Sequence, residues 1–276
     1  MNFKTTTSAR AVRGLGICLI AGATVLFAGC QTYNAALGSG ASVTATDSAR
    51  LTRSGFLSDY ARLKPVAALD GIECWRDTAL NPKQFDKVLV SRIVVSLAPP
   101  KGQKDGGVKI IDPSDLKTLT DYFHAALVKA LKPQMQVVDK AGAGVVVIRV
   151  ALTDLVPTTV TDSLAGTLIP YGFVAEAGSG VATGRPAGST PYLGETGMEM
   201  QFRDGANGQV IAECRDTEIG RKYAADVNSN AATAARTWAN GYMSSFQAWQ
   251  YAKEAFDKWS LLVARRFAEL RGVAKK

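Results

Sequence analysis

Glu195-Thr196-Gly197-Met198-Glu199-Met200-Gln201-Phe202-Arg203-Asp204-Gly205-Ala206-Asn207-Gly208-Gln209-Val210-Ile211-Ala212-Glu213-Cys214-Arg215-Asp216-Thr217 decides the fold. Two runs that alternate apolar and polar residues flank Asp204-Gly205-Ala206-Asn207-Gly208, a string rich in turn formers, so the stretch reads as a β-hairpin. Pairing Arg203 with Gln209 sets Phe202 opposite Val210, Met200 opposite Ala212 and Met198 opposite Cys214 on one face. Glu199, Glu213 and Arg215 fall on the other. Cys214 then points into the core, and with Arg203 and Arg215 nearby, Glu199 and Glu213 read as a solvated charge face.

Outward from the hairpin, the period changes. Ser244 to Arg271 repeats Phe246, Trp249, Ala252, Phe256, Trp259, Val263, Phe267 and Leu270 at spacings of three and four, which predicts a long amphipathic helix docked on the sheet. Arg265, Arg266 and Arg271 near its end suit the helix dipole. Upstream, Asp112-Pro113 opens a helix, with Asp112 as cap and Pro113 in the first turn, and Leu116, Leu119, Phe123, Leu127 and Ala130 form its stripe up to Pro133. Lys87–Leu97, Met135–Asp139 and Gly144–Leu155 read as strands, the last with Val146, Ile148, Val150 and Leu152 on one face. Asn228–Ala239 is moderately helical in character. Phe56, Tyr60 and Leu63 lie at helical spacing before Pro65 and predict a short helix or turn docked on the domain. The stretch 158–190, dense in Gly, Ala, Ser and Pro towards its end, is irregular. The expected class is α+β: a mixed or antiparallel sheet with helices on one face, including a long C-terminal one.

The N-terminus carries an address. Lys4, Arg10 and Arg13 precede an apolar run of fifteen residues, Gly14 to Ala28, and then Gly29 and Cys30. The pattern is that of a signal peptide, and the run is shorter than the roughly 20 residues of a spanning helix. Leu26-Phe27-Ala28-Gly29-Cys30 resembles a bacterial lipoprotein signal. That resemblance implies cleavage before Cys30, acylation of Cys30, and, with Gln31 rather than Asp next, sorting to the outer membrane facing the periplasm. The expected organisation is a signal peptide over 1–29, a flexible tether over 30–50, rich in Ala, Gly, Ser and Thr, and one periplasmic domain over 51–276.

Removing residues 1–29 lowers the formal charge from +8 to +5, since three cations and no acid leave with them. The remaining Lys and Arg are spread along the chain, and no nucleic-acid partner is expected. Cys74 and Cys214 are then an even pair, a candidate disulfide in an oxidising compartment; two separate buried thiols are the other reading.

Ser54-Gly55-Phe56-Leu57-x-x-Tyr60-x-x-Leu63 after a lipidated cysteine, the hairpin ending Asp204-x-x-Asn207-Gly208-x-Val210-Ile211-Ala212, and the terminal helix with Trp259 together resemble a family of uncharacterised Gram-negative outer-membrane lipoproteins. That family carries a domain-of-unknown-function label and transfers no catalytic residue. The element order also resembles the periplasmic domains of envelope assembly lipoproteins, a likeness of fold alone.

Groups for chemistry are sparse. The single histidine, His124, falls on the predicted helix as a partly exposed residue, and no Gly-x-Ser-x-Gly elbow accompanies it. One histidine and two distant cysteines lack zinc-ligand spacing, so neither metal nor cofactor is expected. Glu199 and Glu213 are the remaining acid pair. The expected function is a non-enzymatic, outer-membrane-anchored lipoprotein. It touches the membrane through the lipid on Cys30 and binds or assembles another envelope component, protein or glycan. The alternatives are a subunit of a self-assembling secretion or pore complex, with 158–191 in the contacts, and an envelope glycan hydrolase.

Overall fold

The computed structural model describes residues 42–45, 51–96, 111–160, 185, 189, 193–220, 231–244 and 247–273. The signal segment, Cys30 and most of 158–190 lie outside these residues.

The elements are β1 (Ser42–Thr44), β2 (Lys64–Pro65), β3 (Glu73–Arg76), β4 (Lys87–Val90), β5 (Val94–Val95), α1 (Pro113–Leu131), β6 (Gln136–Val137), β7 (Val145–Val156), β8 (Glu195–Asp204), β9 (Val210–Gly220), α2 (Ala231–Ser244) and α3 (Gln250–Arg271). The strands form one sheet in the order β2-β3-β9-β8-β7-β4-β6. β1 lies end to end with β3 along β9, and β5 end to end with β4 along β7. β4 pairs in parallel with β6 and β7, and β5 with β7, while the remaining pairs are antiparallel. The class is α+β with a mixed sheet, as the alternation and helical periods imply.

α1 and α3 cover one face. Asp112 caps α1 by accepting from Ser114 N at 2.7 Å, and Leu119, Phe123, Leu127 and Leu131 are its buried stripe. Phe123 stacks on Phe256 of α3 with ring centroids 4.5 Å apart, above Val146, Ile148, Val150 and Leu152 of β7 and Met198 and Met200 of β8. These side chains come from alternate strand positions, which is why the core is continuous. α3 ends at Gly272, whose φ of 72° lets its N–H return to the Ala268 and Glu269 carbonyls.

Several expectations are corrected. The strand over Lys87–Leu97 is two strands: Val90 faces Ile148 and Val94 faces Ala151, so three residues, 91–93, stand against two on β7. The extra residue interrupts the ladder, and Val94 and Val95 beyond it are exposed. In the hairpin, Arg203 faces Val210 and Phe202 faces Ala212, with a bulge at Ile211. Met200 therefore faces Cys214 and Met198 faces Asp216, a shift of two that keeps every face while Ile211 takes the core position expected of Val210. The terminal helix begins at Gln250, after a break that separates it from α2. Of the short helix or turn expected over Ser54–Pro65, the turn forms, with Leu63 N donating to the Tyr60 carbonyl at 3.4 Å. Finally, Ser42–Thr44, expected within the tether, pairs with Glu218–Gly220, and Ala45 is buried with Leu51 and Ile219.

Candidate functional site

The face of the sheet away from the helices is not solvated. Residues 51–63 lie across it as a strap, and Glu199 and Glu213 beneath them are wholly buried. Glu199 accepts from Ser54 N at 3.0 Å, from Ser54 Oγ at 2.6 Å and from the Tyr60 hydroxyl at 2.8 Å. Glu213 accepts from Ser58 N and Ser58 Oγ at 2.7 and 2.9 Å, from Arg62 Nη2 at 2.7 Å and from Gln201 Nε2 at 2.7 Å. Each serine thus gives both its backbone and its hydroxyl proton to one carboxylate. A backbone that spends its N–H groups this way has none for a helical ladder, which explains the absent helix. Arg215 pairs with Glu73 on β3 at 2.7 Å, and the Arg62 guanidinium stands 3.5 Å above the Trp75 ring.

Burial pushes the Glu213 carboxyl up, but the hydrogen bonds from Ser58, Arg62 and Gln201 together outweigh it and hold it below the ordinary 4.5. Tyr60 moves the other way: burial first, and then its bond to Glu199, raise its hydroxyl above 10.0.

On the helix face, the alternation of β9 carries Asp216 and Glu218 under α3. Lys258 Nζ donates to Glu218 Oε1 at 2.6 Å and to Thr44 Oγ1 of β1 at 3.1 Å, and Trp259 Nε1 donates to Asp216 Oδ2 at 2.7 Å. Burial, followed by the Glu218 charge, pushes Asp216 up to about 8. The cluster joins β1, β9 and α3 through fully enclosed polar groups.

Beside that cluster, the helix face opens into an apolar cleft of about 320 Å³. One wall is sheet, with Met198, Met200, Phe202 and Ile211, and the other is the C-terminal half of α3, with Val263 and Phe267. Cys74 and Cys214, directly opposed on β3 and β9, form a disulfide at its floor with Cα atoms 4.1 Å apart. Arg76, Asp77 and Arg266 also line it. The volume sits at the lower end of ligand sites, roughly 300–1,000 Å³.

Glu199, Glu213, Cys74 and Cys214 are thus brought to neighbouring positions on three adjacent strands, β8, β9 and β3, the acids on the strap face and the sulfurs on the cleft face. His124 stands apart on α1, half-buried, its Nε2 3.2 Å from the Val90 carbonyl. Among the described residues no group of His, Cys, Asp and Glu could hold a metal ion, and no helix is long and apolar enough to cross a membrane. Sequence reasoning missed Ser54, Ser58, Tyr60 and Arg62 as ligands of the two acids, and it missed the Asp216, Glu218 and Lys258 cluster. The second had a signal: Asp216 and Glu218 continue the parity of Ala212 and Cys214.

Fold and site define an α+β domain with one sheet face under helices, the other under a self-made strap, and an apolar cleft between sheet and C-terminal helix. The chain belongs to the family described as "Protein of unknown function (DUF3313)", whose model matches residues 52–242, from the strap into α2. Among solved structures, the chain is similar to the PelC dodecamer from Paraburkholderia phytofirmans, at 13% identity and a TM-score of 0.29 over 64% of this chain and 98% of that one. It is also similar to protein XCC0632 from Xanthomonas campestris, of the DUF330 family, at 12% identity and a TM-score of 0.23 over 67% of this chain and 94% of that one. No curated protein matches it.

Proposed function

We propose that this chain is a lipoprotein anchored through Cys30 in the outer membrane, facing the periplasm, whose domain binds another envelope component without transforming it. The observation that carries the reading is the apolar cleft beneath α3, a concave surface whose walls offer burial rather than reactive groups. The acid pair that a glycan hydrolase would use is turned to another end, since Glu199 and Glu213 are enclosed and hold the strap. The Leu26-Phe27-Ala28-Gly29-Cys30 signal supports the anchor.

The test has two arms. Mass spectrometry of the mature N-terminus should find acylated Cys30, and Cys30→Ser should release the protein from membranes; an unmodified Cys30 refutes the anchor. A photoactivatable residue at Val263 in the cleft should give, in intact cells, an adduct absent when the same residue stands at Leu261, on the exposed side of α3. Identical adducts from both positions refute binding at the cleft.

A further inference from the structure

We infer that the cleft between β8, β9 and α3 takes the acyl chain of an anionic lipid, an assignment that rests on the binding reading above and names its ligand class. The walls decide between occupants. A peptide brings one backbone donor and one acceptor per residue, and a glycan brings several hydroxyls, all of which lose hydration against Met198, Met200, Phe202, Ile211, Val263 and Phe267. An alkyl chain has no such groups to satisfy. Met198 and Met200, unbranched and polarizable, line the sheet wall and can adapt to the path of a flexible chain.

The charges that line the cleft select the headgroup. Arg76 Nη1 donates to the carbonyl of neighbouring Asp77 at 3.2 Å, a bond that leaves the rest of its guanidinium fork to a ligand. Arg266 pairs with Glu269 at 2.9 Å, but both side chains are 36% exposed, and water keeps such a pair weak and exchangeable. Asp77, the one acid among the described residues of the lining, has Oδ1 turned back to accept from Ala79 N at 2.9 Å. Two guanidinium groups beside an apolar cavity match a carboxylate or phosphate at the end of a hydrocarbon chain, and guanidinium geometry suits both.

Three twelve-carbon probes differing only in headgroup test this: dodecanoate, dodecan-1-ol and dodecyltrimethylammonium, each below its micelle concentration, titrated by calorimetry into the mature chain with Cys74 and Cys214 oxidised. Dodecanoate is expected to bind most tightly and the cation most weakly. Val263→Trp, which fills the cleft from α3, should weaken dodecanoate ~10-fold or more. Leu270→Trp, about two helical turns further along the same wall, is the second variant should the first fail to fold by circular dichroism. Arg76→Glu with Arg266→Glu should weaken dodecanoate and leave dodecan-1-ol unchanged. Absence of dodecanoate binding, equal binding of the three probes, or unchanged binding by a folded cleft-filled variant overturns the inference. A specific adduct at Val263 without dodecanoate binding removes the lipid and leaves the binding reading standing.

Discussion

Glu213→Gln tests whether the strap is held by its carboxylates. Glu213 gathers four hydrogen bonds at 2.7 to 2.9 Å, from Ser58 N, Ser58 Oγ, Arg62 Nη2 and Gln201 Nε2, and none of its side chain reaches water. An amide in its place can set its oxygen where Oε1 stands, which keeps Ser58 N and Gln201 Nε2, and turns its NH₂ towards Arg62 Nη2, a donor, and the Ser58 hydroxyl, which can rotate to accept. Hydrogen bonds to a charged group contribute ~1.5–3 kcal/mol each, and a buried donor left unpaired costs ~1–3 kcal/mol. Arg62 is 27% exposed and can turn to solvent, so its share is discounted. What is lost is the charge on the oxygen that Ser58 N and Gln201 Nε2 share, together with the bond from the Ser58 hydroxyl, and the expected loss is about 1–3 kcal/mol. Urea unfolding followed by far-UV circular dichroism gives the global part. Brief trypsin digestion, with cleavage after Arg53 and Arg62, gives the local part, because a released strap exposes those bonds first. The sign with pH follows from the lowered Glu213 value: the clamp contributes fully above the ordinary 4.5 and is lost as pH falls through the lower folded value. The variant should therefore show a shallower fall in stability below pH 4.5 than the native chain. A loss no larger than that of Glu269→Gln on the surface, with unchanged strap cleavage, refutes the reasoning.

Three further outcomes are expected. Asp216, raised from 3.8 to about 8, binds a proton in the folded state that the unfolded chain has released, so its contribution is complete below pH 3.8 and is lost as pH rises through about 8. Asp216→Asn, which still accepts from Trp259, should flatten that decline between pH 3.8 and about 8 in thermal melts, and an unchanged slope counts against the buried acid. Replacing Cys74 and Cys214 by serine opens a loop of 140 residues and should cost ~2–5 kcal/mol in urea unfolding, while thiol titration of the unreduced, unfolded native chain finds neither sulfur free; free thiols at both positions refute the bond. A Cβ on Gly220 would meet the Tyr251 ring at 2.7 Å, so Gly220→Ala should destabilise by ~1–3 kcal/mol, and a neutral result would mean that this ring gives way.

What could be read from sequence follows from how local its cause is. The α1 cap at Asp112, the stripes of α1 and α3, and the faces of β7, β8 and β9 depend on spacing within one element, and they appear where the periods place them. The bulge at Ile211 and the break at 91–93 each turn on one extra residue between partners, which only the pairing strand defines. The charge face was misread because alternation says which residues share a side and says nothing of what covers it. Ser54 and Ser58 lie 145 and 155 residues from the acids they hold, and no local pattern links them. The cleft likewise exists only once α3 is laid on β8 and β9.

The strap and β1 also set how the domain meets a pull from its N-terminal side. Load entering before Ser42 would fall first on β1, held by three paired residues on β9 and by Lys258 through Thr44, then on the Thr52–Asp154 hydrogen bond, then on the Glu199 clamp, and then on the Glu213 clamp before it reached β2 and the sheet. The attachments stand in series, so each can let go while those behind it still hold. Full release of residues 42–63 would lengthen the reach of the chain by up to ~70 Å, at roughly 3.3 Å per residue, with β3, β9 and their disulfide still joined. Under load the N-terminal edge of this domain would give way in steps, and the Glu199 and Glu213 clamps mark where the later steps fall.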